Sequence, residues 1–402
     1  MHTLSTSDVP ALGRIQQRAL IVGAIALLAG GIGAVMNIDQ FFRSWLIGFL
    51  FCLSLSLGLL ALLMLQHLSG GQWGMVGRRV FEAGSRLLPV VAILAVPVII
   101  GIPRIFAWAQ PGAEANHIIH QKQAYLNTGF FIIRAGFYFV FWMALMWMLN
   151  KWSSEQDRGE AVTKNDSIRF RTVSAPGLLF LVITVTFASV DWVMSLEPEW
   201  FSTIFGLLTI AGYGLTGVAF TILVLAAIDR DKVAGSLLTP RHFHDLGKLL
   251  LAFVMLWAYL SFSQFLIIWS GNLPEEIPWY IARTGGSWGF VAIALVLGHF
   301  FIPFGMLLSA TVKKKSAKLA KIAAWVLVMR LIDMIWYVAP SFRHLAPEGG
   351  HGVPPMHWMD VAIPVGLTAL WVFLFVRQLR SRSLFPMNDP YLKEAFAHEA
   401  AH

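Results

Sequence analysis

The sequence has a single cysteine and few charged residues. Cys52 lies inside an apolar run, so the chain cannot form an internal disulfide, attach c-type haem covalently or hold an iron–sulfur cluster by itself. Charged residues make up 13% of the 402 residues, about half the share usual in a soluble domain, while hydrophobic residues make up 57%. This composition excludes a soluble enzyme, a disordered chain and a nucleic-acid-binding protein. It predicts an all-α polytopic membrane protein.

Long apolar runs predict about ten transmembrane helices, because about 20 apolar residues are needed to cross a bilayer. The first run resembles the core of a signal peptide, but no small-residue cleavage site follows it, so we expect it to remain as a span. No loop is long enough for a soluble domain, so residues 1–402 are predicted to form one membrane domain with cytoplasmic tails at 1–16 and 383–402. The predicted spans are 19–36, 45–67, 87–107, 129–149, 177–194, 202–228, 246–269, 287–310, 319–338 and 359–379.

The distribution of basic residues predicts the orientation in the membrane. The formal net charge is +8, and most of the 30 Lys and Arg residues fall in alternate segments between spans, on the side that holds the N-terminus. Cytoplasmic segments of membrane proteins carry such an excess of Lys and Arg. Because the number of predicted spans is even, both termini are expected in the cytoplasm.

Two charged residues in the ninth predicted span are the sharpest functional candidates. Arg330 and Asp333 are three residues apart, so they lie on one helix face and can pair. Tyr337 follows one turn later on the same face. Charges at membrane depth are costly, so these residues are expected to conduct protons or to face a quinone. The alternative is a structural ion pair that fixes this helix to its neighbours.

His299 is the one histidine deep within a predicted span. Imidazole titrates near neutral pH, so His299 is a candidate proton relay. A hydrogen bond to a facing Ser or carbonyl would instead give it a structural role. A bis-histidine haem b requires histidines on facing helices, so this haem is not expected.

Several charged residues are predicted to gather near the non-cytoplasmic surface. Asp191 ends the fifth span, Glu197 and Glu199 follow it, and Arg134 lies in the outer third of the fourth span. A carboxylate placed there can accept a proton from a quinol hydroxyl. An acidic rim paired with Arg134 or Arg104 is the alternative. The histidines of the outer loops match no zinc motif, so no metal site is predicted.

Two long segments resemble a known family. One is 191–206, DWVMSLEPEWFSTIFG, and the other is 259–288, which begins YLSFSQFLIIWSGNLPEEIPWY and ends RTGGSW. Both resemble the ActF-type membrane subunits of alternative complex III, a bacterial assembly that transfers electrons from quinol to cytochrome c or to an oxidase. The chain length and the ten predicted spans also suit that family.

The resemblance implies an NrfD-like fold, with two four-helix bundles at spans two to five and six to nine and two flanking helices. It also implies a multi-pass location in the bacterial inner membrane. Haem c and iron–sulfur clusters would belong to partner subunits, and menaquinone or another quinone is a candidate ligand. The implied partners are an iron–sulfur subunit, multihaem and monohaem cytochrome c subunits, a sister NrfD-like quinol-binding subunit, small membrane subunits, lipids and, as a further candidate, a terminal cytochrome oxidase.

The expected function is that of a membrane subunit, without redox cofactors of its own, in a quinol-oxidising complex. The charged residues of the ninth span and His299 would form part of a transmembrane proton path, and Asp191, Arg134 and Glu197 would form its outer mouth. A secondary transporter is one alternative, but it usually needs a midplane site built from interrupted helices in repeats, and no repeat is evident. The other alternative is a scaffold in which neighbours neutralise every buried charge.

Overall fold

The fold comes from a computed structural model that describes residues 9–159, 164–232, 237–345, 356–386 and 388–389. Over these residues every regular element is helical, and no strand is present. The α-helices are α1 (Pro10–Met36), α2 (Ile38–Ser69), α3 (Gln72–Ser85), α4 (Leu88–Ile100), α5 (Ile102–Ile105), α6 (His117–Lys122), α7 (Thr128–Asp157), α8 (Lys164–Trp192), α9 (Phe205–Arg230), α10 (Pro240–Gly271), α11 (Ile277–Thr284), α12 (Ser287–Ala294), α13 (Ile302–Leu308), α14 (Ala310–Lys314), α15 (Ser316–Val338) and α16 (Met359–Leu379).

The chain is a polytopic all-α membrane protein, as predicted. In its described part, nine helical segments are long and apolar enough to cross a membrane, and α3 with α4 brings the number to ten if this bent pair is one span. The third predicted span, 87–107, does not correspond to one helix, because α4 ends at Ile100 and is followed by the short α5. The two helices of the pair meet at a bend of 40°. Pro89 lies in the first turn of α4, where its missing N–H prevents one continuous helix.

The helices pack as two groups of four. The first group contains α2, the α3–α4 pair, α7 and α8, and the second contains α9, α10, the α12–α13 segment and α15. Helices α1 and α16 pack against each other and against α2. This agrees with the predicted grouping of spans two to five and six to nine. At the centre, α2 and α9 approach so closely that a Cβ atom on Gly58 would collide with the carbonyl of Tyr213.

The segments rich in Lys and Arg meet at one end of the helices, which we name the basic end. The Ala11 amide donates to Asp231 at 2.7 Å, which places the start of α1 beside the end of α9. The Arg380 guanidinium donates to Gln16 at 2.9 Å, which places the end of α16 beside the start of α1. The start of α1 and the end of α16 therefore lie on the same side, as an even number of crossings requires.

The two predicted tails are only partly described. Residues 1–8 lie outside the described residues, and α1 begins at Pro10, so the second half of the predicted tail 1–16 is helical rather than a free extension. Of the tail 383–402, only residues 383–386 and 388–389 are described. There Asp389 is buried and pairs with Arg78 at 2.5 Å, so this segment packs on the helices.

The eighth predicted span, 287–310, is interrupted rather than uniform. Its middle, Leu295–Phe301, is a π-helix between α12 and α13. π-Helical turns are rare and occur frequently at functional sites. This turn contains His299, which the sequence had singled out.

Candidate functional site

A buried ion pair lies in the second helix group. Arg330 and Asp333 on α15 have 3% and 1% of their surfaces exposed, and their side chains form a direct ion pair. Trp257 on α10 donates its indole N–H to the Asp333 carboxylate at 3.2 Å. Arg330 Nε and Asp333 Oδ1 are buried and have no hydrogen-bond partner in the described part of the chain. The pair therefore keeps unsatisfied polar atoms at membrane depth.

Helix α9 leaves room for the guanidinium of Arg330. A Cβ atom added to Gly212 would lie 2.8 Å from Arg330 Cζ, so any side chain at that position would displace the guanidinium. Beside it is a small cleft of about 30 Å³, lined by Arg330, Tyr213 and Tyr337 among mainly apolar residues. A space of this size holds about one or two water molecules.

His299 joins the same cluster through a tryptophan. It is fully buried in the π-helix, and its ring centroid lies 4.0 Å from that of Trp257. Neither ring nitrogen has a hydrogen-bond partner among the described residues, so the alternative of a bond to a Ser or a carbonyl finds no support there. Trp257 contacts both the imidazole and the Asp333 carboxylate. We name His299, Trp257, Arg330 and Asp333 the central cluster.

A fully buried arginine, which the sequence pattern assigns to an outer loop, lies beyond the central cluster. Arg283 on α11 contacts Glu197 at 2.7 Å. It also donates to the Ser341 hydroxyl at 2.7 Å and to the Tyr337 carbonyl at 2.8 Å. Its guanidinium carbon lies 3.9 Å from the ring centre of Trp279. Burial lowers the pKa of Arg283 to about 10 although Glu197 opposes the shift, so this side chain stays charged at neutral pH.

Tyr337 lies next to Arg283, which donates to its backbone carbonyl, and next to the central cluster. It lies one turn after Asp333 on α15 and lines the cleft beside Arg330. Glu197 ends the row and keeps 17% of its side chain exposed. The row from Asp333 through Tyr337 and Arg283 to Glu197 therefore leads from the interior to the end of the molecule opposite the basic end. Of the three residues predicted at the outer mouth, only Glu197 belongs to this row.

Between the central cluster and the basic end, the facing helix surfaces are apolar. No titratable side chain is buried in the stretch 243–256 of α10 or in the stretch 316–329 of α15. On these helices the titratable groups thus connect the central cluster with one end only, which differs from the expected transmembrane path. The buried apolar side chains of the two stretches are Phe243, Leu246, Leu250 and Val254 on α10 and Leu319, Ile322, Ala323, Val326 and Met329 on α15.

Arg134 and Asp191 form a separate pair in the first helix group. Arg134 Nη2 lies 2.8 Å from Asp191 Oδ1, and Arg134 Nε lies 3.0 Å from Oδ2. Tyr138 donates to the same carboxylate at 2.8 Å, and Arg134 donates to the Tyr125 carbonyl at 2.9 Å. Neither charged side chain keeps an unsatisfied buried atom. This agrees with the alternative interpretation of Asp191 as a structural partner of Arg134.

Glu199 also lies apart from the row. It is exposed and accepts a hydrogen bond from Asn116 at 3.2 Å. Arg104, the other predicted partner of the acidic rim, forms an exposed ion pair with Asp39 at 2.6 Å. The three residues predicted at the outer mouth are therefore divided between two places: Arg134 and Asp191 pair with each other, and Glu197 pairs with Arg283.

A second buried charged network, at the basic end, was not predicted. Arg78 and Arg79 on α3 pair with Glu82 at 3.0 and 2.7 Å, and these side chains are at most 2% exposed. Asp389 pairs with Arg78, and Asp157 pairs with Arg79. The overlooked signal is the helical spacing of the charges, which places Glu82 three and four residues after the arginines. Arg79 Nε has no hydrogen-bond partner among the described residues, but no buried carboxylate oxygen of the network lacks one. The network therefore fits a structural role that holds the C-terminal segment on α3 and α7.

Comparisons with known proteins add no family assignment. No protein-family model matches the chain, and no curated protein matches it. Among the described residues, no group of three or more His, Cys, Asp or Glu side chains is arranged to hold a metal ion. The chain is thus established as a multi-pass membrane protein, and its activity is a matter for proposal.

Proposed function

We propose that this chain is a proton-conducting membrane subunit of a quinol-oxidising electron-transfer complex of the alternative complex III type. In this proposal, iron–sulfur and cytochrome c subunits carry the redox cofactors, and a sister NrfD-like subunit holds the quinol. The chain lies in the bacterial inner membrane with its basic end toward the cytoplasm. Its own contribution is a buried row of titratable groups.

Membership of such a complex is supported by the segments 191–206 and 259–288, which resemble the ActF-type family. The two segments meet in space, because Glu197 of the first pairs with Arg283 of the second. Next to this pair, the rings of Trp200 and Trp279 stack with their centroids 4.4 Å apart. The residues that carry the resemblance thus build the surface end of the row.

The observation that supports a role in proton transfer is the contrast between two buried ion pairs. Around Arg134 and Asp191 every buried charged atom has a partner. In the central cluster, Asp333 Oδ1 and both nitrogens of His299 have none within the described chain. A buried polar atom without a partner costs about 1–3 kcal/mol. Asp333 Oδ1 is the one buried carboxylate oxygen without a hydrogen-bond partner among the described residues. Groups that must bind and release protons need such free atoms.

The chemistry follows from the residue types. The imidazole of His299 and the carboxylate of Asp333 can each take up and release a proton, whereas Trp257 only donates its N–H. Because the Trp257 ring contacts both groups, transfer between them requires the ring to move or a water molecule to enter. From Asp333, protons would pass the cleft beside Tyr337 and leave at the partly exposed Glu197.

The size of the cleft favours proton transfer over quinol binding at this position. About 30 Å³ accommodates water and is too small for a quinone ring. The proposal therefore assigns menaquinone or another quinone to the sister subunit. This chain would carry the protons that quinol oxidation releases.

The test compares two carboxylates in the purified complex, reconstituted in vesicles with a pH-sensitive dye. We expect Asp333→Asn to lower the number of protons moved per electron several-fold, with the subunit and haem content retained. Asp191→Asn is the matched control, because it neutralises a buried, paired carboxylate outside the row, and it should keep the wild-type ratio. An unchanged ratio in Asp333→Asn would remove the proton role. If Asp333→Asn does not assemble, His299→Gln serves the same comparison without leaving Arg330 unpaired.

A further inference from the structure

Four exposed lysines lie together at the basic end, where α14 meets α15. We name Lys314, Lys315, Lys318 and Lys321 the lysine corner. Helix α14 is held against α10, because the side chain of Lys313 is buried next to Gly247. The corner thus has a fixed place in the fold, beside the start of α10.

The acidic residues close to the lysine corner are already engaged. Asp229, at the end of α9, accepts a hydrogen bond from the Ser316 hydroxyl at 2.6 Å. Asp245 on α10 pairs with Lys248 at 3.1 Å. None of the four lysines takes part in an ion pair within the described chain. Within the described residues the four lysines thus lack an ion-pair partner, and the corner presents a concentrated positive charge.

The lysine corner continues into an exposed apolar surface. Lys318 and Lys321 are three residues apart on α15 and lie on one face, and Trp325 follows one turn after Lys321. Trp325 and Val328 are 43% and 54% exposed, and the Trp325 indole is fixed by a 2.7 Å hydrogen bond to the Gly298 carbonyl. Tryptophan marks the headgroup level of membrane proteins.

This order of residues has the layout of a phospholipid site. Positive charge stands at the helix end, an aromatic ring follows about 6 Å further along the axis, and exposed apolar side chains come next. Clusters of four to eight Lys or Arg beside a membrane-spanning helix attract anionic lipids. On the neighbouring α13, Met306 and Leu308 are also exposed and apolar.

We propose that the lysine corner binds the phosphate of an anionic phospholipid whose acyl chains lie along Trp325 and Val328. A lipid fits better than a soluble acidic partner, because the charged and apolar parts lie at consecutive depths on one helix face. The site is independent of the proton row and of the partners proposed for the chain.

The test uses the purified full-length chain in detergent and native mass spectrometry. The probes are phosphatidylglycerol and phosphatidylcholine with identical acyl chains. We expect phosphatidylglycerol to bind more tightly, and Lys318→Gln/Lys321→Gln to weaken its binding about 30-fold, since each lysine near the surface contributes about 1 kcal/mol. Lys318→Arg/Lys321→Arg should keep the affinity. Arg18→Gln/Lys151→Gln removes two exposed charges elsewhere at the basic end and should also keep it.

Two results would overturn the site: equal affinity of the wild-type chain for both lipids, or equal losses in the Gln pair and in the Arg18/Lys151 control. If the Lys318→Gln/Lys321→Gln variant does not fold, the wild-type chain alone still tests the proposed site. Its preference for phosphatidylglycerol should fall as salt is raised, because salt screens exposed charges. A preference that does not change with salt would exclude recognition by the lysines.

Discussion

Replacing His299 by leucine tests whether this histidine has a functional or a structural role. In most buried positions, removal of a histidine breaks hydrogen bonds and destabilises the fold. Here both ring nitrogens lack a partner in the described chain, so the substitution removes two unsatisfied polar atoms and breaks no bond to the described protein. We therefore expect His299→Leu to leave stability unchanged or to raise it.

The magnitude follows from two opposing contributions. Removal of a buried polar group without a partner should gain about 1–3 kcal/mol. Loss of the ring contact with Trp257, at a centroid distance of 4.0 Å, should cost about 0.5–1.5 kcal/mol. The net gain is about 1 kcal/mol, which corresponds to roughly 1–2 °C in melting temperature for a chain of this length.

The assay is thermal unfolding of the purified chain in detergent, followed by intrinsic fluorescence. His242 provides the matched control, because it is also buried but its Nδ1 accepts the Thr239 amide at 3.1 Å at the start of α10. His242→Leu should lower the melting temperature, so the two variants should change it in opposite directions. A decrease in His299→Leu as large as that in His242→Leu would refute the reasoning, since it would show that His299 is held by bonds that stabilise the fold.

Three further predictions follow from the packing. Gly212→Ala should displace the guanidinium of the central ion pair and lower both the melting temperature and proton coupling. Gly136→Ala, where a Cβ meets no atom within 4 Å, is the control and should be neutral or slightly stabilising. Equal effects of the two substitutions on the melting temperature would contradict the close contact at Gly212. Arg134→Met should cost about 3–5 kcal/mol in the free energy of unfolding, because it leaves a buried carboxylate unpaired, and a loss below about 1 kcal/mol in detergent unfolding would contradict a structural pair. The folded pKa of Arg283, about 10, lies below its ordinary value of 12.5, so its titration would add stability only as the pH rises through about 10. Between about pH 6 and about pH 8, the loss in the free energy of unfolding caused by Arg283→Gln should therefore be constant. A loss that changes steeply in this interval would contradict that pKa.

The membrane-spanning helices are predictable from the sequence because apolar length alone determines them. The third span is the exception, since the bend between α3 and α4 depends on where Pro89 stops one helix and starts the next. The spacing of Arg330 and Asp333 also predicts their pairing, because residues three apart on a helix are neighbours whatever the tertiary structure.

The rest of the candidate site depends on tertiary packing, which a single sequence does not show. Arg283 and Arg78 look like ordinary loop charges, yet both are buried. Arg78 pairs with Glu82 and the distant Asp389, and Arg283 contacts the distant Glu197. Asp191 and Glu197 are close in sequence but turn to different helix groups, where each has its own arginine. Such choices of partner depend on the positions of distant helices, so periodicity and composition cannot predict them.

The most direct test of the central proposal is to tag the chain, extract the membranes in a mild detergent and examine what co-purifies. The proposal predicts an absorption band of c-type haem together with an iron–sulfur subunit. The chain itself cannot supply these groups, because it has one cysteine and that cysteine is buried. A colourless preparation that contains the chain alone would contradict membership of a quinol-oxidising complex.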